Sequence, residues 1–149
     1  MKIAIAADHG GFPLKAELVE LLKQAGHEPI DLGASECIAG DDYPDYALLV
    51  GQAVQAKQAE RGIVLCGSGV GACIAANKLK GVRAGVCHDT YSAHQGVEHD
   101  DMNVLCLGAR VVGVEPAREI VLAYVNAKFN TGERYQRRLN KVLKIEEEG

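Results

Sequence analysis

The chain has 149 residues, 48% hydrophobic and 24% charged, with a formal net charge of −4. This is enough apolar material for the core of one domain, and it excludes a disordered chain. The negative balance argues against a general nucleic-acid surface or an anionic-membrane surface. No apolar run reaches the roughly eighteen residues of a membrane span. Five cysteines, 37, 66, 73, 87 and 106, form no CxxC pair. A disulfide framework or a zinc site is not expected, and a reducing cytoplasm is the natural setting.

The opening "MKIAIAADHGG" is only briefly apolar and reads as a first strand rather than a signal peptide. Apolar β-rich runs follow at Glu28–Asp31, Gly62–Cys66, Val82–Cys87 and Asn103–Leu107. Short, unbroken runs of this kind fit strands buried on both faces of a parallel sheet. Helical patterns lie between them. Leu14, Leu18, Leu21, Leu22 and Ala25 share one helical face, and Gly26 is placed to end it. Further helices are expected over Tyr43–Lys57, Val70–Leu79, Thr90–Val97, Glu115–Phe129 and Glu133–Glu147. The alternation predicts one α/β domain spanning 1–149, doubly wound in the flavodoxin or Rossmann manner around a five-stranded parallel sheet. The last helix follows another helix, so it can pack on the sheet or reach to a partner subunit.

In such folds ligands bind beyond the carboxyl ends of the strands. Asp8 and His9 follow the first run, Cys66 ends the third, and Arg110 follows the fifth. His99 and Asp100, just before the fifth run, are expected at the same edge. Gly67, Gly69 and Ala72 satisfy G-x-G-x-x-G/A, with Asp89 further on where a dinucleotide fingerprint has its acid. The underlying physics is broader than nucleotide binding. Glycines let backbone amides face an anion at a helix N-terminus, whether a phosphate or an oxyanion formed during reaction. Cys66 ahead of that loop shifts the balance toward chemistry, because a thiol at a helix N-terminus has its thiolate favoured. The bland alternative is a buried strand-end cysteine. A metal at His99, Asp100 and Asp101 is disfavoured, since adjacent residues rarely converge on one ion. Arg134 and Arg138 lie four apart and could grip one phosphate, or simply form a solvated basic face.

Five motifs in order, "DHGG", "DYPDYA", "GIVLCGSGVGACIAANKLKGVRAGVC", "HDDMNVLCLGARVVG" and "GERYQRRL", together resemble the ribose-5-phosphate isomerase B family, which is grouped with the galactose-6-phosphate isomerase subunits. The resemblance covers essentially the whole chain. It implies a cofactor-free and metal-free aldose–ketose isomerase of the pentose phosphate pathway, working as a homodimer or tetramer with shared active sites. It implies Cys66 as the base moving a proton between C2 and C1, with Ser68 shuttling the hydroxyl proton. The amides of Gly67, Ser68, Gly69, Val70 and Gly71 would stabilise the enediolate. His99 would open the sugar ring, assisted by Asp8. His9, Asp100, Arg110, Arg134 and Arg138 would contact substrate and phosphate, the last two from the neighbouring subunit. The chain departs from the pattern at Asp100, where the family often has asparagine, and at Tyr135, where it has histidine. Ser68 replaces a frequent threonine. Ala72 stands where one subgroup carries a glutamate base, which favours Cys66. The alternatives are isomerisation of an allose 6-, galactose 6- or erythrose 4-phosphate, or a non-catalytic nucleotide-binding module.

Overall fold

The computed structural model describes residues 1–149. Five strands, β1 Lys2–Ala7, β2 Glu28–Asp31, β3 Arg61–Cys66, β4 Ala84–Val86 and β5 Val104–Gly108, alternate with helices. The helices are α1 Phe12–Gln24, α2 Tyr43–Gln55, α3 Val70–Ala76, α4 Thr90–Asp100, α5 Val114–Asn126 and α6 Glu133–Glu148. All strand pairs are parallel, in the order β2-β1-β3-β5-β4. This is the doubly wound α/β sheet expected from the alternation. It differs from the flavodoxin order 2-1-3-4-5 only in the exchange of the last two strands.

Burial explains the exchange. β5 reads Val-Leu-Cys-Leu-Gly and is buried at every position, whereas β4 has three residues, all half-buried. The strand with two apolar faces takes the interior place and the short one takes the edge. The result sets Gly108 level with Cys66. It therefore brings the turn after β5 to the loop after β3.

The pleat divides the core into two layers. Ile3, Ile5, Ile63, Leu65, Leu105 and Leu107 face α1, α4 and α5. Ala4, Ala6, Val64, Cys66, Val104 and Cys106 face α2 and α3. The second face is built of smaller residues, and α2 comes close: a Cβ placed on Gly62 would clash with Val50 Cγ1. Fully buried Tyr124 keeps its hydroxyl satisfied by donating to the Gly62 carbonyl at 3.1 Å. The segment after β2 is pinned by Lys15, only 5% exposed, whose ammonium donates to Asp31 Oδ1 at 2.7 Å and to the Ala34 carbonyl.

The expected strands and helices are all present, with ends shifted by a few residues. One shift matters for function. The fourth helix runs on through Asp100 rather than stopping at Val97.

Candidate active site

The chain leaves β1 in one direction, toward β2, and returns across β1 to form β3. The crevice at this reversal is where ligands bind in such sheets. It holds a cleft of about 390 Å³ whose wall includes Asp8, His9, Tyr43, Cys66, Ser68 and Arg110. A larger hollow of about 710 Å³ along α6, from Thr131 to Lys144, has no hydrophobic wall and no thiol.

Cys66 closes β3 and is 4% exposed. The loop that follows turns back over it. Gly69 adopts φ +81°, a left-handed conformation open to glycine, and its amide donates to Cys66 Sγ at 3.0 Å. The amides of Gly67 and Ser68 bond to no other group of the chain. Ser68 is exposed, and its hydroxyl accepts from the Val70 amide at 3.2 Å. The loop rests on the end of β5: a Cβ on Gly108 would sit 2.5 Å from the Ser68 carbonyl carbon. Its outer side meets the ring of Tyr43, which a Cβ on Gly71 would approach to 2.6 Å.

The opposite wall comes from β1 and β5. Asp8 is 6% exposed, and its Oδ1 accepts from the Gly11 amide at 3.0 Å. Arg110 is exposed, forms no ion pair in the chain, and lies over Gly67. An unpaired guanidinium facing free backbone amides is a seat for an anion. His88 accepts from the Gly108 amide at Nε2 (3.0 Å) and so braces the turn after β5.

The structure adds Asp41, from the segment after β2, and Tyr43, at the start of α2. Asp41 Oδ1 accepts from the His9 amide and meets His9 Nδ1, both at 2.8 Å, while Oδ2 accepts from Tyr46 at 2.8 Å. Burial alone would push the Asp41 carboxyl up. The hydrogen bonds from His9 and Tyr46 outweigh it and hold the group below its ordinary range. Asp8, His9 and Asp41 bring potential metal-ligand atoms within 4.8 Å of one another. Within it Asp8 Oδ1 accepts from the Gly11 amide and Asp41 Oδ1 meets the His9 amide and ring, so the cluster is a hydrogen-bond network.

His99 and Asp100 are not at this edge, contrary to the sequence expectation. α4 begins after β4 at the carboxyl edge and must cross the sheet before β5 starts, so its last turn lies at the amino edge. There His99 Nδ1 pairs with Gln95 Nε2 at 2.9 Å, and its ring lies 4.8 Å from that of Tyr135. Asp101, the third member of the discounted metal cluster, is ion-paired with Arg83 at 2.8 Å. Arg134 and Arg138 are exposed on α6 without ion pairs, while Arg137 between them is held by Glu133 at 2.6 Å. The anticipated residues thus form two groups. Asp8, His9, Cys66, the Gly67–Gly71 loop and Arg110 share the cleft; His99, Asp100, Arg134 and Arg138 lie on α4 and α6, outside it.

The thiol of Cys73, on α3, has a lowered pKa. Contact with the Cys106 thiol pulls it down to about 7 against the opposing effect of burial. Its sulfur faces the Ala84 carbonyl at 3.4 Å and the Asn77 amide at 3.5 Å, and it does not line the cleft. No helix is long and apolar enough to cross a membrane.

Residues 3–142 match the family model described as Ribose/Galactose Isomerase. Ribose-5-phosphate isomerase B of Escherichia coli is 47% identical over 148 residues, covering 98% of this chain and 97% of that protein. The solved ribose-5-phosphate isomerase B of Clostridium thermocellum superposes with a TM-score of 0.95 at 46% identity, covering 99% of each chain. The Mycoplasma genitalium enzyme, solved with bound ribulose 5-phosphate, has a TM-score of 0.93 at 42% identity, covering 99% of this chain and 97% of that one. With the fold, the thiol-and-glycine loop and near full-length matches in agreement, the chain belongs to the ribose/galactose isomerase family.

Proposed function

We propose that this chain interconverts D-ribose 5-phosphate and D-ribulose 5-phosphate through an enediolate. One observation carries the reading: a buried thiol at the end of β3, its sulfur accepting from the Gly69 amide, faces an unpaired arginine across a cleft rimmed with free amides. An aldose–ketose isomerase needs those three parts: a base, donors for a developing oxyanion, and a phosphate grip away from the reacting carbons.

Each part follows from the residues. The Cys66 thiolate takes the C2 proton of the open-chain aldose. The C2 electron pair becomes the C1–C2 double bond, and the carbonyl pair moves onto O1. The free Gly67 and Ser68 amides of the loop are offered to that oxyanion. Ser68 passes the hydroxyl proton between O2 and O1, and Cys66 returns its proton to C1. Atoms balance with no oxidant or cofactor. Arg110 and His9 hold the phosphate. Asp8, fixed by the Gly11 amide, assists ring opening.

His99, Asp100, Arg134 and Arg138 complete the site from a second copy of the chain. Their separation from Cys66 within one chain supports this assignment. So do the exposed apolar side chains on the elements concerned: Leu48, Leu49 and Ile74 on α2 and α3, and Val142 and Ile145 on α6. Five free thiols suit a reducing cytoplasm. The assay is direct. Native protein with ribose 5-phosphate and EDTA should produce ribulose 5-phosphate. Absence of turnover with this and with four- and six-carbon sugar phosphates removes the reading.

A further inference from the structure

Asp41 reaches His9 from the segment after β2, across 32 positions of sequence. Both carboxylate oxygens are used, one by the His9 amide and ring and the other by the Tyr46 hydroxyl. The Asp41 side chain is 10% exposed, against 35% for His9. An ionised carboxylate only accepts, so the proton on this contact belongs to His9 Nδ1. Nε2 has no partner in the chain, on a ring that forms one wall of the cleft together with Arg110.

The consequence for ligand binding is specific. A neutral ring with its proton on Nδ1 presents a lone pair at Nε2, which repels an anion. On taking up a proton, Nε2 becomes a donor, and the Asp41 carboxylate behind the ring balances the new charge. The nearby Arg110 draws an anion in, and Asp8 Oδ1 is occupied by the Gly11 amide. Tyr46 keeps the Asp41 carboxylate from turning away.

We propose that Asp41, steadied by Tyr46, is a positioning residue that fixes His9 with its proton on Nδ1 and Nε2 free for the substrate's phosphate beside Arg110. This rests on the isomerase reading above for the identity of the phosphate ester. It does not require that reading for the seat itself, which inorganic phosphate can probe.

The test combines ring-nitrogen NMR with kinetics on Asp41→Asn, which keeps the shape and removes the charge. Native protein should show the neutral His9 ring protonated at Nδ1, and the variant should shift toward Nε2. KM for ribose 5-phosphate and the inhibition constant of inorganic phosphate should both rise about tenfold, with kcat within about threefold, as for loss of one charge-assisted contact. In a His9→Gln background the same substitution should change either value less than about twofold. Tyr46→Phe should move KM in the same direction by about threefold, and it keeps the test open if Asp41→Asn folds poorly. A native ring protonated at Nε2, equal losses in kcat and KM, or an undiminished effect without His9 would each overturn the proposal. If native protein does not isomerise ribose 5-phosphate, the functional reading fails, while titration of the His9 ring signals with inorganic phosphate still decides this one.

Discussion

Gly108 at the end of β5 stands level with Cys66 at the end of β3, and a Cβ on Gly108 would strike the Ser68 carbonyl carbon at 2.5 Å. The floor of the catalytic loop is therefore backbone on backbone, with no flexible side chain to yield. Gly108→Ala should force the loop away from the thiol, lowering stability by about 1–3 kcal/mol as overpacking does and reducing kcat more than KM. Gly71→Ala meets only the exposed ring of Tyr43. It should leave stability nearly unchanged and alter KM, because Tyr43 lines the cleft. Denaturant titration and steady-state kinetics on the two variants separate these outcomes.

Asn77 ties α3 to the edge strand β4, donating to the Ala84 carbonyl at 2.9 Å and accepting from the Ala84 amide at 2.8 Å. Asn77 is exposed, so water replaces much of what is lost. Asn77→Ala should cost about 1 kcal/mol in denaturant titration. The substitution does not touch the cleft, and kcat should be kept.

The depressed Asp41 carboxyl predicts a pH dependence of stability with a fixed sign. Its folded value lies below the unfolded one, so it contributes stability above the ordinary carboxylate range, and that contribution is lost as pH falls through the folded value. Native protein should be more stable than Asp41→Asn at neutral pH, with the gap closing in acid. Denaturation at a series of pH values measures this; a gap that widens in acid contradicts the assignment.

Mixing tests the shared site. Cys66→Ala and Arg138→Ala chains, each nearly inactive alone, should regain up to about a quarter of native activity when subunits exchange at random, since mixed dimers carry one intact site. No recovery with exchange confirmed would remove the second-copy role of Arg138.

Much of this architecture is legible in the sequence because local periodicity and long-range burial agree. β1, whose buried positions run from Ile3 to Ala7, and α1, whose Leu14, Leu18, Leu21 and Leu22 are buried, fall where their patterns put them. Cys66, Asp8, His9 and Arg110 meet because each sits on or just after the carboxyl end of a strand, a rule that needs only the parallel alternation. The same rule, applied correctly, excludes His99: a residue that precedes a strand lies at the other edge. Reading the fourth helix as ending at Val97 hid this, because it left Glu98–Asn103 looking like a loop at the active edge. Asp41 was invisible for another reason. Nothing local marks which aspartate of a polar loop will reach a histidine 32 positions away. Tyr43 opens α2 and carries no periodic signal that would set its ring against Gly71.

Whether Cys66 is the base is decided by ribulose 5-phosphate formation from ribose 5-phosphate by native protein and by Cys66→Ala, both with EDTA. Native turnover should survive EDTA, and the folded variant should lose about a hundred- to ten-thousand-fold in kcat, the range of a positioned acid–base group. A folded Cys66→Ala protein that isomerises at the native rate would contradict it.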